Sequence, residues 1–280
     1  DTRVAGALPS RRIMLHVVAL RVAVALIGHA PAMYSHSRDA NPMALARESF
    51  KGLHAARSMD AKFGTLANAT MRMTTAEAQL WFSLLNQSST YLEWGTGGST
   101  VMAAWRATLT HLEPLKVDAI DSSQGWFDVL RSHSPIRDAE AAGSLTFHLG
   151  NIGETIMWGN PKDWSKRSAA LREKQSRSYI QSIPTSRCCY DLILVDGRFR
   201  EACALYALRL MHNRTTVLIH DSSRHTNHEA ILNYYHVVTV RDTLAVLRPK
   251  HGAVARAKSG SDGVYNALFT KLMNVFARRS

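Results

Sequence analysis

An acidic residue, a glycine turn and a hydroxyl-bearing helix start follow one another in Tyr91-Leu92-Glu93-Trp94-Gly95-Thr96-Gly97-Gly98-Ser99-Thr100. A second carboxylate, Asp121, closes the run Val117-Asp118-Ala119-Ile120-Asp121. Residues of these types in this order can bind a nucleotide-type cofactor. Gly95 and Gly97 permit a tight turn and let a ligand approach the backbone with no Cβ in the way. The N–H groups that open the next helix, from Ser99 onward, point into the same crevice. Asp121 stands where a carboxylate at a strand end accepts hydrogen bonds from ribose hydroxyls.

The elements that must hold these residues show as apolar runs. Tyr190-Asp191-Leu192-Ile193-Leu194-Val195 leads into Asp196-Gly197-Arg198, and Val217-Leu218-Ile219 leads into His220-Asp221. Near-continuous apolar strands mark a parallel sheet covered by helices on both faces, and ligands bind at the carboxyl ends of such strands. Glu93, Asp121, Asp196, His220 and Asp221 all fall there. The expected fold is α/β, a doubly wound, mostly parallel, seven-stranded Rossmann-like sheet. Leu145–Leu149 is the third strand, and His228–Tyr234, Val237–Val240 and Thr243–Leu247 complete the sheet. Helices are expected over Pro42–Met59, Val101–Thr108, Gln124–Ser132 and Glu201–His212. Another starts at the capping box Thr74/Glu77, with Leu80, Phe82, Leu84 and Leu85 as its apolar side.

The cofactor class follows from the details. A dinucleotide site wants G-x-G-x-x-G, but the sixth position from Gly95 is Thr100. Glu93 would repel a pyrophosphate and attract the cationic end of S-adenosylmethionine. E-x-G-x-G-x-S resembles motif I of the class I S-adenosylmethionine-dependent methyltransferases, with Ser99 in place of their third glycine. EWGTGGST, DSSQGW, WGNP, DLILVDGRFR and LIHDSSR together resemble a little-described group of methyltransferase-like proteins, over roughly Thr74–Lys250. The resemblance implies S-adenosylmethionine as cofactor, bound by Glu93, Gly95, Thr96, Gly97, Asp121, Ser122 and Asn151. Glu93 would hold the methionine portion, Asp121 the ribose, and Asn151 would lie near the adenine. The resemblance leaves the substrate open; the polar groups at successive strand ends make methyl transfer to a hydroxyl or amine of a small molecule or glycan the leading reading. The rival reading is a catalytically inactive methyltransferase-like subunit acting as a scaffold in a larger complex.

Methyl transfer needs an acceptor lone pair in line with the methyl group, so much of the catalysis is proximity and orientation. A hydroxyl acceptor also needs a base. Asp196 is the first candidate, followed by His220 and Asp221. His220 has the better-placed unperturbed pKa, roughly 6.5; an orienting hydrogen bond at the strand end is its other reading. Asp196 and Asp221 resemble the carboxylate pair that holds magnesium in small-molecule O-methyltransferases. Ser222 replaces the amide those enzymes carry, and no metal ligand is assigned. Arg198 and Arg200 are expected to clamp an acidic group on the acceptor, or else to form surface ion pairs. Residues 150–189 far exceed an ordinary connection of about 2–6 residues. They contain Trp158, Trp164 and a basic helix through Lys166, Arg167, Arg172, Lys174 and Arg177. A lid with Trp158 facing the substrate is expected, and a packing insertion is the alternative.

The 280 residues, 46% hydrophobic, suit one large α/β domain with extensions. Of the formal charge of +12, residues 1–60 carry +4 and residues 248–280 carry +6, leaving +2 for the 187 between. The basic charge therefore belongs to the ends, and nucleic acid is an unfavoured partner. The division expected is 1–41 as a targeting or hydrophobic segment, 42–250 as the methyltransferase-like domain, and 251–280 as a basic C-terminal tail. Arg11-Arg12 precede the apolar stretch Ile13–Ala30, interrupted by His16 and Arg21. Signal sequence, transit peptide and plain helix all fit it, with membrane or organelle association through this segment. Cys188, Cys189 and Cys203 lack zinc-site spacing and read as small core residues.

Overall fold

The computed structural model describes residues 71–156, 159–222, 228–260 and 262–278. The N-terminal segment 1–41, the expected helix Pro42–Met59 and Trp158 lie outside the described residues. Thr74 opens helix α1 (Thr75–Leu85) with the expected capping box: its hydroxyl accepts from the Glu77 N–H at 3.2 Å, and the Glu77 carboxylate accepts from the Thr74 N–H at 2.8 Å. Of the expected apolar side, Leu80, Phe82 and Leu84 are half-buried and only Leu85 is on the buried face, which is Glu77, Ala78, Trp81 and Leu85. Spacing by three and four residues selects that row. Trp81 can turn inward because its indole N–H donates to the Tyr91 hydroxyl at 3.1 Å.

Seven strands form one sheet. Strands β1 (Thr90–Trp94), β2 (Lys116–Asp121), β3 (Leu145–Leu149), β6 (Tyr190–Val195) and β7 (Met211–Ile219) run parallel. Antiparallel β9 (Leu244–Pro249) and β8 (Tyr235–Arg241) extend it, giving the order β3-β2-β1-β6-β7-β9-β8. Between β3 and β6 lies a separate antiparallel pair, β4 (Thr155–Ile156) and β5 (Asn160–Pro161). The strand order reverses at β1, which lies between β2 and β6. Such a switch point opens a crevice at the carboxyl ends of the strands. Register aligns those ends: Trp94 pairs with Ile120 and Val195, and Val195 with Ile219.

Side chains alternate across the sheet. Leu92, Trp94, Ile193, Val195, Val217 and Ile219 enter one core cluster, together with residues of α6 (Arg200–Ala207) and α8 (Gly263–Arg278). Tyr91 and Glu93 face the other way, toward α2 (Gly98–Ala107), whose Ser99 hydroxyl donates to Glu93. Helices α3 (Gln124–Leu130) and α4 (Ser134–Ala141) connect β2 to β3. The long insertion contributes α5 (Ala169–Ile180), which packs against α8.

The stretch expected as a basic tail is α7 (Ala253–Ser259) followed by α8. Tyr265, Phe269, Leu272 and Met273 of α8 are buried, so this helix packs on the core and is not a solvated tail. Cys203 is a buried free thiol, as expected. Cys188 and Cys189 depart from the core reading: they are half-buried and joined to each other by a disulfide. The Lys258 Nζ stands 3.0 Å and 3.3 Å from their sulfurs. Among the described residues no helix is long and apolar enough to cross a membrane.

Candidate active site

The glycine loop joins β1 to α2. Gly95 has φ 93°, the left-handed region that glycine tolerates. A Cβ there would stand 2.6 Å from the Gly197 backbone nitrogen. Gly95 therefore serves the close approach of the β1 and β6 loops to each other. Gly97 has open space, because among the described residues no atom beyond its two chain neighbours lies within 4 Å of where its Cβ would be. Asp121 ties the end of β2 to the same loop. Its Oδ2 accepts from the Thr96 N–H and hydroxyl, both at 2.9 Å, and its Oδ1 from the Ser122 N–H at 2.6 Å. Trp126 of α3 adds an indole N–H to the Thr96 carbonyl at 3.0 Å. Asn151 is exposed beyond β3, its side-chain oxygen accepting from the Gly153 N–H at 2.8 Å.

Glu93 lies beneath the loop, fully buried on the α2 side. Its Oε2 accepts from the Tyr91 hydroxyl at 2.9 Å and the Ser99 hydroxyl at 2.8 Å, while Oε1 has no hydrogen-bond partner among the described residues. Burial pushes its pKa up to about 7, against the opposing influence of the neighbouring Thr100, Ser99 and Tyr91 hydroxyls.

Asp196, His220 and Asp221 meet where β6 and β7 end. One ligand-type atom from each lies within 4.8 Å of the others. His220 Nδ1 is 2.9 Å from Asp196 Oδ1, and its Nε2 is 3.5 Å from Glu77 Oε2. Burial pulls the His220 pKa down, but the hydrogen bond to Asp196 and the charges of Asp196, Asp221 and Glu77 outweigh it, and the pKa rises above 6.5. Both ring nitrogens thus face carboxylates, and the ring is buried. Asp196 and Asp221 are more open, their side chains 26% and 23% exposed. Glu77 was legible in the sequence as a helix cap; its place behind His220 depends on α1 packing by the β8–β9 turn, where Thr243 donates to Glu77 Oε1 through its N–H and its hydroxyl, both at 2.7 Å, and has no local signature.

Arg200 is turned inward rather than toward an acceptor. Its Nη2 lies 3.2 Å from Asp196 Oδ1 and 3.4 Å from Asp221 Oδ2. Arg198 lies by the crevice, donating to Asn160 Oδ1 at 2.6 Å. Burial pulls its guanidinium below the ordinary value. The insertion closes on this loop at two further points: the Trp164 and Phe199 rings are 5.8 Å apart, and the buried Tyr179 hydroxyl accepts from the Arg198 N–H at 3.4 Å. Tyr179 was not singled out in the sequence, where it reads as one more apolar helix position; Asn160 stands in the WGNP motif without a role of its own and lies in β5.

No family model matches the chain, and no curated protein matches it. Among solved structures it is similar to a methyltransferase-like protein from Silicibacter pomeroyi, at 24% identity and TM-score 0.51, over 67% of this chain and 96% of that one. It is also similar to a putative caffeoyl-CoA O-methyltransferase from Staphylococcus aureus, at 12% identity and TM-score 0.45, over 76% and 100%. A methyltransferase from Geobacter sulfurreducens matches at 12% identity and TM-score 0.40, over 82% and 98%. The fold is that of the Rossmann-like class I methyltransferases.

Proposed function

We propose that the chain is an S-adenosylmethionine-dependent methyltransferase acting on a hydroxyl or amine of a small molecule or glycan. What supports this is the register that sets the carboxyl ends of β1, β2, β6 and β7 along one edge of the sheet at the strand-order reversal, with Gly97, Asp121, Asp196 and Asp221 following those ends. The residues fit the cofactor in three ways. Gly97 leaves open space beside the backbone. Asp121 and Ser122 present oxygen atoms suited to a ribose. Glu93 carries a buried acceptor atom, Oε1, with no hydrogen-bond partner among the described residues, suited to a cationic group.

Glu93, Gly95, Thr96, Gly97, Asp121, Ser122 and Asn151 are the proposed cofactor-binding residues, with Glu93 bracing the loop from below. When bound, S-adenosylmethionine supplies an electrophilic methyl group on a sulfonium. The protein's part is to orient the acceptor and take its proton. Asp196 suits that role because it opens to the crevice, whereas His220 is enclosed between Asp196 and Glu77. His220 then steadies Asp196 from behind, and Asp221 lines the same wall. Arg198 and Trp158 are the proposed acceptor contacts, and residues 150–189 the cover. Arg200, expected beside them, acts from inside the site.

Incubation with methyl-labelled S-adenosylmethionine and a panel of small hydroxyl and amine acceptors tests the proposal. Label should pass to an acceptor in wild type and fall sharply in Asp196→Asn. Absence of cofactor binding by the folded protein would overturn the reading before any acceptor is found.

A further inference from the structure

Arg200 stands between two carboxylates in a position that a divalent cation could otherwise share. Asp196, His220 and Asp221 offer three ligand atoms within 4.8 Å of one another, two carboxylates and an imidazole, a donor set that suits a first-row divalent ion. The Arg200 side chain, 7% exposed, lies behind both carboxylates and contacts each of them. All three guanidinium nitrogens are engaged. Nε donates to the Gly197 carbonyl at 3.1 Å, Nη2 to the Asp196 carbonyl at 3.1 Å, and Nη1 to the His220 carbonyl. The backbone around this clamp is held in the left-handed region at two non-glycine residues, Phe199 with φ 55° and Asp221 with φ 53°. Such conformations cost free energy, more for a bulky residue than for an aspartate, and persist where the surroundings impose them.

We propose that Arg200 is the resident cation of this centre. It offsets one of the two negative charges of Asp196 and Asp221 where a metal ion would otherwise sit, and holds Asp196 against His220, so that the centre works without a divalent cation. A guanidinium stays charged at any working pH and is covalently fixed, so its compensation cannot be chelated away. A divalent ion entering the same carboxylates would meet the like charge of a guanidinium already in contact with both of them. Arg200 acts through Asp196 and is a positioning residue. The part played by Asp196 rests on the methyltransferase reading, but the charge claim is measured with neither cofactor nor acceptor present, so the two can fail separately.

The test is Mn²⁺ alone, titrated into the full chain and followed by electron paramagnetic resonance. Wild type should bind with a Kd no tighter than about 1 mM, in the weak range. Arg200→Met should bind at least about 100-fold more tightly, because the carboxylates lose their fixed counter-charge. Arg200→Lys, which restores the charge without the fork, should exclude Mn²⁺ as wild type does; a purely structural role for Arg200 would not predict that rescue. Micromolar binding by wild type that is lost in Asp221→Asn would overturn the proposal, and so would a folded Arg200→Met with no gain. If Arg200→Met fails to fold, the wild-type titration alone decides between the outcomes.

Discussion

Asp196 is held by a cation on one side and an imidazole on another while its carboxylate opens to the crevice. Replacing it by Asn keeps its shape and removes its charge. Asp196→Asn should leave cofactor affinity near wild type while turnover falls by roughly 10²–10⁴-fold, measured by single-turnover kinetics; unimpaired turnover would remove Asp196 from the mechanism. The same substitution removes the largest influence holding the His220 pKa up, so NMR titration of the ring should show a lower pKa than in wild type. Because the folded His220 pKa is raised, its contribution to stability is full below about 6.5 and is lost as pH climbs through the folded value. Glu93 behaves differently. Its folded pKa of about 7 exceeds the ordinary 4.5, so the unfolded chain releases that proton first and stability falls as pH rises through this window. Glu93→Gln should flatten the change in urea stability between about pH 5 and about pH 8 by on the order of 1–3 kcal/mol. An equal pH slope in both proteins would mean that Glu93 stays ionised when folded.

The loops after β1 and β6 touch through glycines, and that contact sets the floor of the crevice. Gly95→Ala brings a Cβ to 2.6 Å from the Gly197 nitrogen, against backbone that cannot rotate away. It should destabilise the fold by at least about 2 kcal/mol in denaturant unfolding. Gly197→Ala puts its Cβ 2.0 Å from the Tyr179 hydroxyl, so Tyr179→Phe should relieve part of that cost and no part of the Gly95→Ala cost. Equal relief of both would contradict the described packing. In the insertion, Trp164→Ala should raise the acceptor KM more than it weakens the cofactor, if the segment covers the acceptor. The strands and their polar ends were legible in the sequence, because a parallel strand buried on both faces is a continuous apolar run. Which face of α1 turned inward was not. That depends on Trp81 finding the Tyr91 hydroxyl, a contact between separate elements. Likewise Arg198 and Arg200 look alike in sequence, and α6 starting at Arg200 is what sends one inward and leaves the other by the crevice.

Across the whole molecule the charge pattern was readable but its meaning was not. Seven basic residues against one acid over 248–280 suggested a tail, while Tyr265, Phe269, Leu272 and Met273 place α8 in the core beside α5 and α6. The apolar residues recur every three or four positions there, a helical signal masked by the high basic content. Deleting 263–280 should therefore lower the thermal unfolding midpoint by several degrees or more, as loss of core contacts does, whereas removal of a solvated tail would leave it unchanged. The central claim is that the crevice at the β1/β6 reversal binds S-adenosylmethionine through the Asp121 carboxylate. Isothermal calorimetry with S-adenosylhomocysteine on wild type and Asp121→Ala tests it most directly. Saturable one-to-one binding by wild type and a loss of at least about tenfold in the variant, the worth of a good charged hydrogen bond, is the expected result. Undetectable binding by folded wild type, or equal affinity in Asp121→Ala, would contradict it.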